Sequence, residues 1–253
     1  MKPALAAATH ELMPGAVALP GGLLYLTQSR ALLAADAHFA YEDVIGGALP
    51  LWSTAQSIAT LLIAAKRLGA LEVILLGDVI HGSRMSEGAA STVTAALETL
   101  RNEVRLTLIA GNHEGRSRGV AVLGETLESV HRDGWALLHG DVAPRAGTPS
   151  IIGHLHPSLH MGGGASVPAF LASQNVIVLP ALTPYSAGLD IFSEDCIAAL
   201  ASWDVRRPDL HVVASTAERV YPFGSLSLLR ATLRKPYAPR PNRFRRKFLR
   251  PDR

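Results

Sequence analysis

The chain has 253 residues, enough for one large domain with a buried core and a cleft, and its 48% hydrophobic and 18% charged residues exclude a mainly disordered polypeptide. No apolar run reaches the roughly 18 residues needed to cross a bilayer, so a membrane partner is not expected. The single cysteine, Cys196, excludes an internal disulfide and fits a reducing, cytoplasmic setting. The net charge of +3 is unevenly spread: residues 230–253 hold ten Arg or Lys against one acid, Asp252, and leave the rest net acidic.

The first fifteen residues contain a short Ala stretch interrupted by His10, Glu11 and two prolines, which predicts an irregular start rather than a secretory signal. Residues 23–26 and 31–35 are apolar runs on either side of Thr27-Gln28-Ser29, the pattern of two strands and a turn. Residues 53–68 place Ile58, Leu61, Leu62, Ala65 and Leu68 at helical spacing and stop at Gly69. Residues 71–76 predict a buried strand running into Gly77-Asp78. A helix is expected over 88–100, then a strand over 105–110 that runs into Gly111-Asn112-His113-Glu114. Two short strands follow: 135–138, ending at His139-Gly140-Asp141, and 150–152, ending at Gly153-His154-Leu155-His156. Further on, 175–179, 196–203 and 210–214 read as strands.

Strand–helix alternation early and strands late predict an α/β fold of two packed mixed β-sheets flanked by helices. Residues 1–229 are expected to form a single domain. Residues 230–253, with four prolines and ten basic residues, are expected to be an extended or disordered tail. An exposed edge strand at 23–26 would offer a way to pair subunits into a homo-oligomer.

One pattern recurs five times: ligand-type polar residues directly follow an apolar strand. The segments are Asp36-Ala37-His38, Asp78 to His81, Asn112 to Glu114, His139 to Asp141, and His154 to His156. They contain six of the ten histidines. Strand ends at one sheet edge open into loops, where sites are built on a rigid scaffold. Imidazole with carboxylate and amide oxygens, and no thiolate, suits borderline or hard divalent ions. Mn²⁺ is the leading candidate, with Fe²⁺, Zn²⁺ or Co²⁺ as alternatives. Seven candidate ligands (Asp36, His38, Asp78, Asn112, His139, His154 and His156) exceed what one ion with an open position uses, so two ions are expected.

The order DxH, GDxxH, GNHE, HG, GHxH resembles the calcineurin-like metallophosphoesterase superfamily. The resemblance implies that fold, and one ion on Asp36, His38, Asp78 and His156. It implies a second ion on Asp78, Asn112, His139 and His154, with Asp78 shared. His113 would be the unligated catalytic histidine, acting with Asp78, and donating a proton shared with Glu114 or Asp141, Glu114 being alternatively a helix cap or surface residue. The segments ADAHFAYED, LLGDVIHG, LLHGD, GHLHP and VLPALTPYSAGLD are similar to the ligase-associated DNA damage response endonuclease group and its archaeal phosphoesterase relatives.

That resemblance implies a hydrolase acting on phosphodiesters of DNA or RNA, a nuclease or phosphodiesterase linked to DNA repair and its protein partners. The alternatives are a phosphatase or phosphodiesterase of a small metabolite or nucleotide, and a non-catalytic scaffold keeping the fold. Arg116 and Arg118 are candidate phosphate clamps, because guanidinium presents paired donors to phosphate oxygens. The alternative for both is a solvated loop. His81 is a candidate for touching substrate or for orienting a metal ligand, the second reading being favoured. His160 and Gly162 to Gly164 read as a turn or rim. Tyr185 either packs in the core or stacks on a base or sugar. His10, His131 and His211 are read as structural, and Cys196 as a buried, inert thiol. Arg243, Arg245, Arg246 and Lys247, interleaved with Phe244 and Phe248, either contact nucleic acid or solubilise the tail.

Overall fold

The computed structural model describes residues 8–46, 50–81, 85–113, 118–143, 147–162, 164–203, 205 and 210–233. Six strands form the first sheet in sequential order: β1 (His10–Met13), β2 (Ala16–Ala18), β3 (Leu24–Leu26), β4 (Ala31–Ala34), β5 (Glu72–Leu76) and β6 (Arg105–Ile109). β1 to β4 pair antiparallel, whereas β4, β5 and β6 run parallel. The crossovers between parallel strands are helical. α1 (Tyr41–Ile45) and α2 (Trp52–Leu68) link β4 to β5, and α3 (Glu87–Glu103) links β5 to β6.

α2 stops where Gly69 turns left-handed at φ 61° and returns its N–H to the Ala65 and Lys66 carbonyls. α3 starts where the Ser86 hydroxyl accepts from the Ala89 N–H. A short helix, α4 (Arg118–Leu123), follows β6.

The second sheet has nine strands: β7 (Ser129–Arg132), β8 (Trp135–Leu138), β9 (Ser150–Ile152), β10 (Pro157–Gly162), β11 (Ala165–Ala172), β12 (Val176–Val178), β13 (Leu189–Asp190), β14 (His211–Ser215) and β15 (Val220–Ser225). Its order is β13-β10-β11-β12-β9-β8-β7, with β14 also on β11 and β15 on β14. Here too the centre is parallel, through β8, β9 and β12. Helices α5 (Glu194–Ala201) and α6 (Leu226–Leu233) follow β13 and β15.

Alternation along the strands sorts the core into three layers. Leu24, Leu26, Leu33, Ile74 and Leu76 of the first sheet meet Leu137, Ile151, Phe170, Ile177 and Val213 of the second. The opposite faces of the same strands, such as Leu32, Val73 and Leu75, pack on Leu61, Val93 and Leu97 of α2 and α3. On the far side Ile152, Leu171 and Val212 pack on Cys196 and Leu200 of α5 and Leu226 and Leu229 of α6. A helix–sheet–sheet–helix sandwich results, as the sequence predicts.

Several expectations are corrected. Residues 196–203 are not a strand: α5 occupies most of them. Its start is fixed by the Ser193 hydroxyl on the Cys196 N–H, with Glu194 and Asp195 in the first turn. β3 is not an edge, since it lies buried between β2 and β4, so it cannot offer the expected subunit contact. The N-terminal segment adds β1, paired with β2, and His160 stands in β10 rather than in a turn. α6 runs across the boundary expected at 229, and Arg230 lies 3.7 Å from Glu194; the remaining tail, 234–253, is outside the described residues. Among the described residues no helix is long and apolar enough to cross a membrane.

An ion pair joins the sheets at the strand ends opposite the site loops. Glu72, at the start of β5 and 2% exposed, takes both Arg132 Nε and Nη2 of β7 at 2.9 Å and the Thr107 hydroxyl at 2.7 Å. Burial pushes the Glu72 pKa up, but the Arg132 hydrogen bonds outweigh it and hold the group ionised below its ordinary value. Arg132→Met should therefore strand a buried carboxylate and lower the urea-unfolding free energy by about 3 kcal/mol. The double variant Glu72→Gln/Arg132→Met should recover part of that loss. A single variant as stable as the parent would contradict the role given to the pair.

Candidate metal centre

All five sequence segments emerge from the C-terminal ends of the two parallel strand triplets. Asp36 and His38 follow β4, Asp78 follows β5, and Asn112 and His113 follow β6. His139 follows β8, and His154 and His156 follow β9. Backbone hydrogen bonds staple these loops to one another: Asp36 N to Gly77 O, His38 N to Asp78 O, and Gly153 N to His139 O. A parallel bridge between Ala35 and Ala181 ties the first sheet to the segment after β12.

The loops are folded tightly enough to force unusual backbone conformations. Asp36 (φ 52°), His38 (44°), Asp78 (45°), His154 (63°) and His156 (44°) all adopt positive φ, which non-glycine residues rarely do. Each such residue costs on the order of 1–3 kcal/mol, and such strain collects where a site over-determines the backbone. Two glycines are needed for the same closeness. A Cβ on Gly77 would overlap the His139 ring, and one on Gly153 would stand 2.6 Å from Asp36 Oδ2.

Two groups of side chains result, each with its ligand atoms within 4.8 Å of one another: Asp36, His38 and His156, and Asp78, His139 and His154. In the first, His156 Nε2 lies 3.2 Å from Asp36 Oδ1, while its Nδ1 is 2.8 Å from the Ser186 hydroxyl. Asp36 is fully buried; its Oδ2 accepts from the His154 N–H, but Oδ1 has no hydrogen-bond partner among the described residues.

In the second group, His139 Nδ1 lies 3.0 Å from the Leu76 carbonyl, which can only accept, so the proton belongs on Nδ1. Around Nε2 converge Asn112 Oδ1 at 2.8 Å, His154 Nδ1 at 3.1 Å and Asp78 Oδ2 at 3.4 Å. Four lone-pair atoms facing one another, beside an orphaned buried carboxylate oxygen, need a shared proton or a cation. The donor set, imidazole nitrogen with carboxylate and amide oxygen, fits divalent metals.

The electrostatics agree. Burial opposes charge on His139, yet its hydrogen bond to Asp78 and the carboxylates of Asp36 and Asp78 raise its pKa to about 9. Burial would raise Asp78, but His139 and the His113 N–H hold it at about 2. Burial and His156 lower His38 to about 3. Asp78, of the second group, also acts electrostatically on His38 of the first.

The other sequence candidates fall into place around these groups. His113, with 43% of its side chain exposed, belongs to neither: its N–H donates to Asp78 Oδ1 at 2.9 Å and its Nε2 lies 3.8 Å from Asp78 Oδ2. His81 hydrogen-bonds His38 through the two Nδ1 atoms at 3.0 Å. Asp141 is exposed and acts on His154. Glu114 and Arg116 lie outside the described residues, and of Arg118 only the backbone, at the start of α4, is described. Cys196 is buried, and desolvation raises its thiol to about 11, in keeping with an inert group.

Tyr185 does not pack in the core; it is 45% exposed. Ser186 lies inside the segment VLPALTPYSAGLD, yet nothing local marks it as the partner of His156, a contact made only by folding. Gly77→Ala should displace the His139 ring and, with φ +75° at this position, destabilise the fold by more than ~1 kcal/mol. Thermal unfolding together with the His139 ring nitrogen resonances would report it, and an unshifted ring would refute the close-approach account.

No family model matches the chain, and no curated protein matches it in sequence. Among solved structures it is similar to the nuclease MPE of Pseudomonas putida, at 23% identity and a TM-score of 0.63, over 85% of this chain and 98% of that one. YfcE, a phosphoesterase of E. coli, is more remote, at 16% identity and a TM-score of 0.39, over 77% of this chain and 98% of that one. With two mixed sheets, outer helices and the first of these likenesses, the chain has the fold of the calcineurin-like metallophosphoesterases.

Proposed function

We propose that this protein is a two-metal phosphoesterase that hydrolyses phosphodiesters, with nucleic acid as its substrate class. The observation that carries the reading is the convergence of Asn112, His154 and Asp78 on His139 Nε2, beside a separate group of Asp36, His38 and His156. The nuclease activity named for the Pseudomonas putida neighbour is consistent with it. A scaffold without chemistry is disfavoured, because a decayed site has no reason to keep every ligand and the strained loops that aim them.

In this reading Asp36, His38, Asp78 and His156 would hold one ion, and Asp78, Asn112, His139 and His154 the other, with Mn²⁺ the first ion to test. Two divalent ions, when bound, supply Lewis acidity toward phosphate oxygens and toward the attacking water. The chain's own residues position and protonate. The Leu76 carbonyl fixes the His139 tautomer, and Ser186 orients His156. His113, outside both groups and open to solvent beside Asp78, carries the proton that its Nε2 gives to the leaving oxygen. A link to DNA repair is part of the proposal and rests on the sequence resemblance.

His113→Ala should lower kcat on bis(p-nitrophenyl) phosphate about 100-fold or more while two metals per chain remain bound. Metal loss together with activity loss would move His113 into the ligand set. Turnover of p-nitrophenyl phosphate in preference to the diester would favour a phosphatase.

Metal binding should also be linked to protons. In metal-stripped protein His139 is protonated at pH 7, because its pKa is raised to about 9, and only neutral imidazole ligates. His38, lowered to about 3, is already neutral. Calorimetric titration with Mn²⁺ in buffers of different ionisation enthalpy should show about one proton released per chain at pH 7, falling toward none above pH 9. Binding without proton release at pH 7 would contradict this ligand role for His139.

A further inference from the structure

A row of aromatic rings leads from the metal centre toward solvent. His113 and His81 stack with centroids 5.2 Å apart, and His81 meets Tyr41 edge-on at 4.5 Å. Tyr41 in turn stacks on Tyr185 at 5.1 Å, with the planes 24° apart. Tyr185, the outermost, keeps 45% of its surface exposed.

Two anchors hold that exposed ring. Its hydroxyl donates to Glu42 Oε1 at 3.1 Å, and Glu42 is itself 2% exposed and fixed by the Ser53 N–H and hydroxyl at 2.8 Å each. Its chain neighbour Ser186 bonds His156 Nδ1, so the ring is tied to the first ligand group by one peptide link. A pinned tyrosine has little rotamer freedom left to lose when a ligand covers it. An exposed flat ring so fixed, beside a centre built for phosphate, suits a flat apolar partner.

We propose that Tyr185, backed by Tyr41, is the stacking platform for the nucleobase next to the scissile phosphate, so that the substrate is a nucleoside-bearing phosphodiester. This rests on the phosphodiesterase reading above. Aromatic stacking accepts any base, since every base has a π-face. The base must be free of its own duplex to reach the ring, which means a single strand or a free nucleotide.

The test compares manganese-loaded wild type, Tyr185→Ala and Tyr185→Phe on p-nitrophenyl esters of thymidine 5′-phosphate and 3′-phosphate and on p-nitrophenyl methyl phosphate. All three share a leaving group and differ in the nucleoside. Wild type should prefer at least one thymidine ester, and Tyr185→Ala should reduce that preference in kcat/KM about tenfold, through KM. Tyr185→Phe, which keeps the ring but loses its anchor on Glu42, should retain most of the preference and fall between wild type and Tyr185→Ala. An unchanged preference in Tyr185→Ala overturns the proposal, as does a loss accompanied by falling metal content, which would mark Tyr185 as a support for His156.

If no ester is hydrolysed, the phosphodiesterase reading fails separately. Calorimetric binding of thymidine 5′-monophosphate against inorganic phosphate then decides: a tenfold weakening in Tyr185→Ala supports the platform, and equal affinity overturns it. Tyr185-dependent cleavage of a single-stranded dT oligonucleotide identifies the polymer as the source of the base. Turnover of the mononucleotide esters alone identifies a free nucleotide.

Discussion

Two buried carboxylates, Asp36 and Asp78, stand at the ends of neighbouring parallel strands with 0% and 2% of their surface exposed. Removing a charged carboxylate from water is costly, and two in one small volume also repel each other. Each is therefore met by a backbone N–H from a loop that belongs to another strand: His154 for Asp36, across the two sheets, and His113 for Asp78, within the first. His139, from the second sheet, stands near both carboxylates, which raise its pKa against the effect of burial. The requirement to satisfy these acids ties the two sheets together at one end.

That arrangement works only on a stiff foundation. The inner core of Leu33, Ile74, Leu76, Ile151 and Phe170 is completely buried between the sheets, and close-packed interiors resist shear. At the far end the Glu72–Arg132 pair joins β5 to β7. With both ends fixed, the ligand loops can keep positive φ at five residues, a conformation that a loose loop would relax.

The strand and helix pattern was largely readable because burial imposes it. β4, β5, β8 and β9 are apolar throughout or nearly so, since both faces of each are covered, and α2 and α3 show apolar residues at helical spacing. The misread element, α5, has an apolar run short enough for a strand; its Ser193 cap and acidic first turn were the opposing signal. The β10–β11 hairpin went unread because β10, with Pro157, Ser158, His160 and Gly162, carries little apolar pattern and is held by pairing with β11 and β13.

By itself the sequence determined the inventory of candidate ligands and its order along the chain, because metal-binding residue types placed after apolar strands leave a local record. It also determined the two-sheet architecture, through the periodicity that burial demands. Only the tertiary structure decided which nitrogen of His139 faces Asn112, that Ser186 bonds His156, and that Glu42 holds the Tyr185 hydroxyl. It also decided that Tyr185 faces solvent rather than the core. These are distances between residues far apart in sequence, fixed by sheet packing, and no local pattern encodes them.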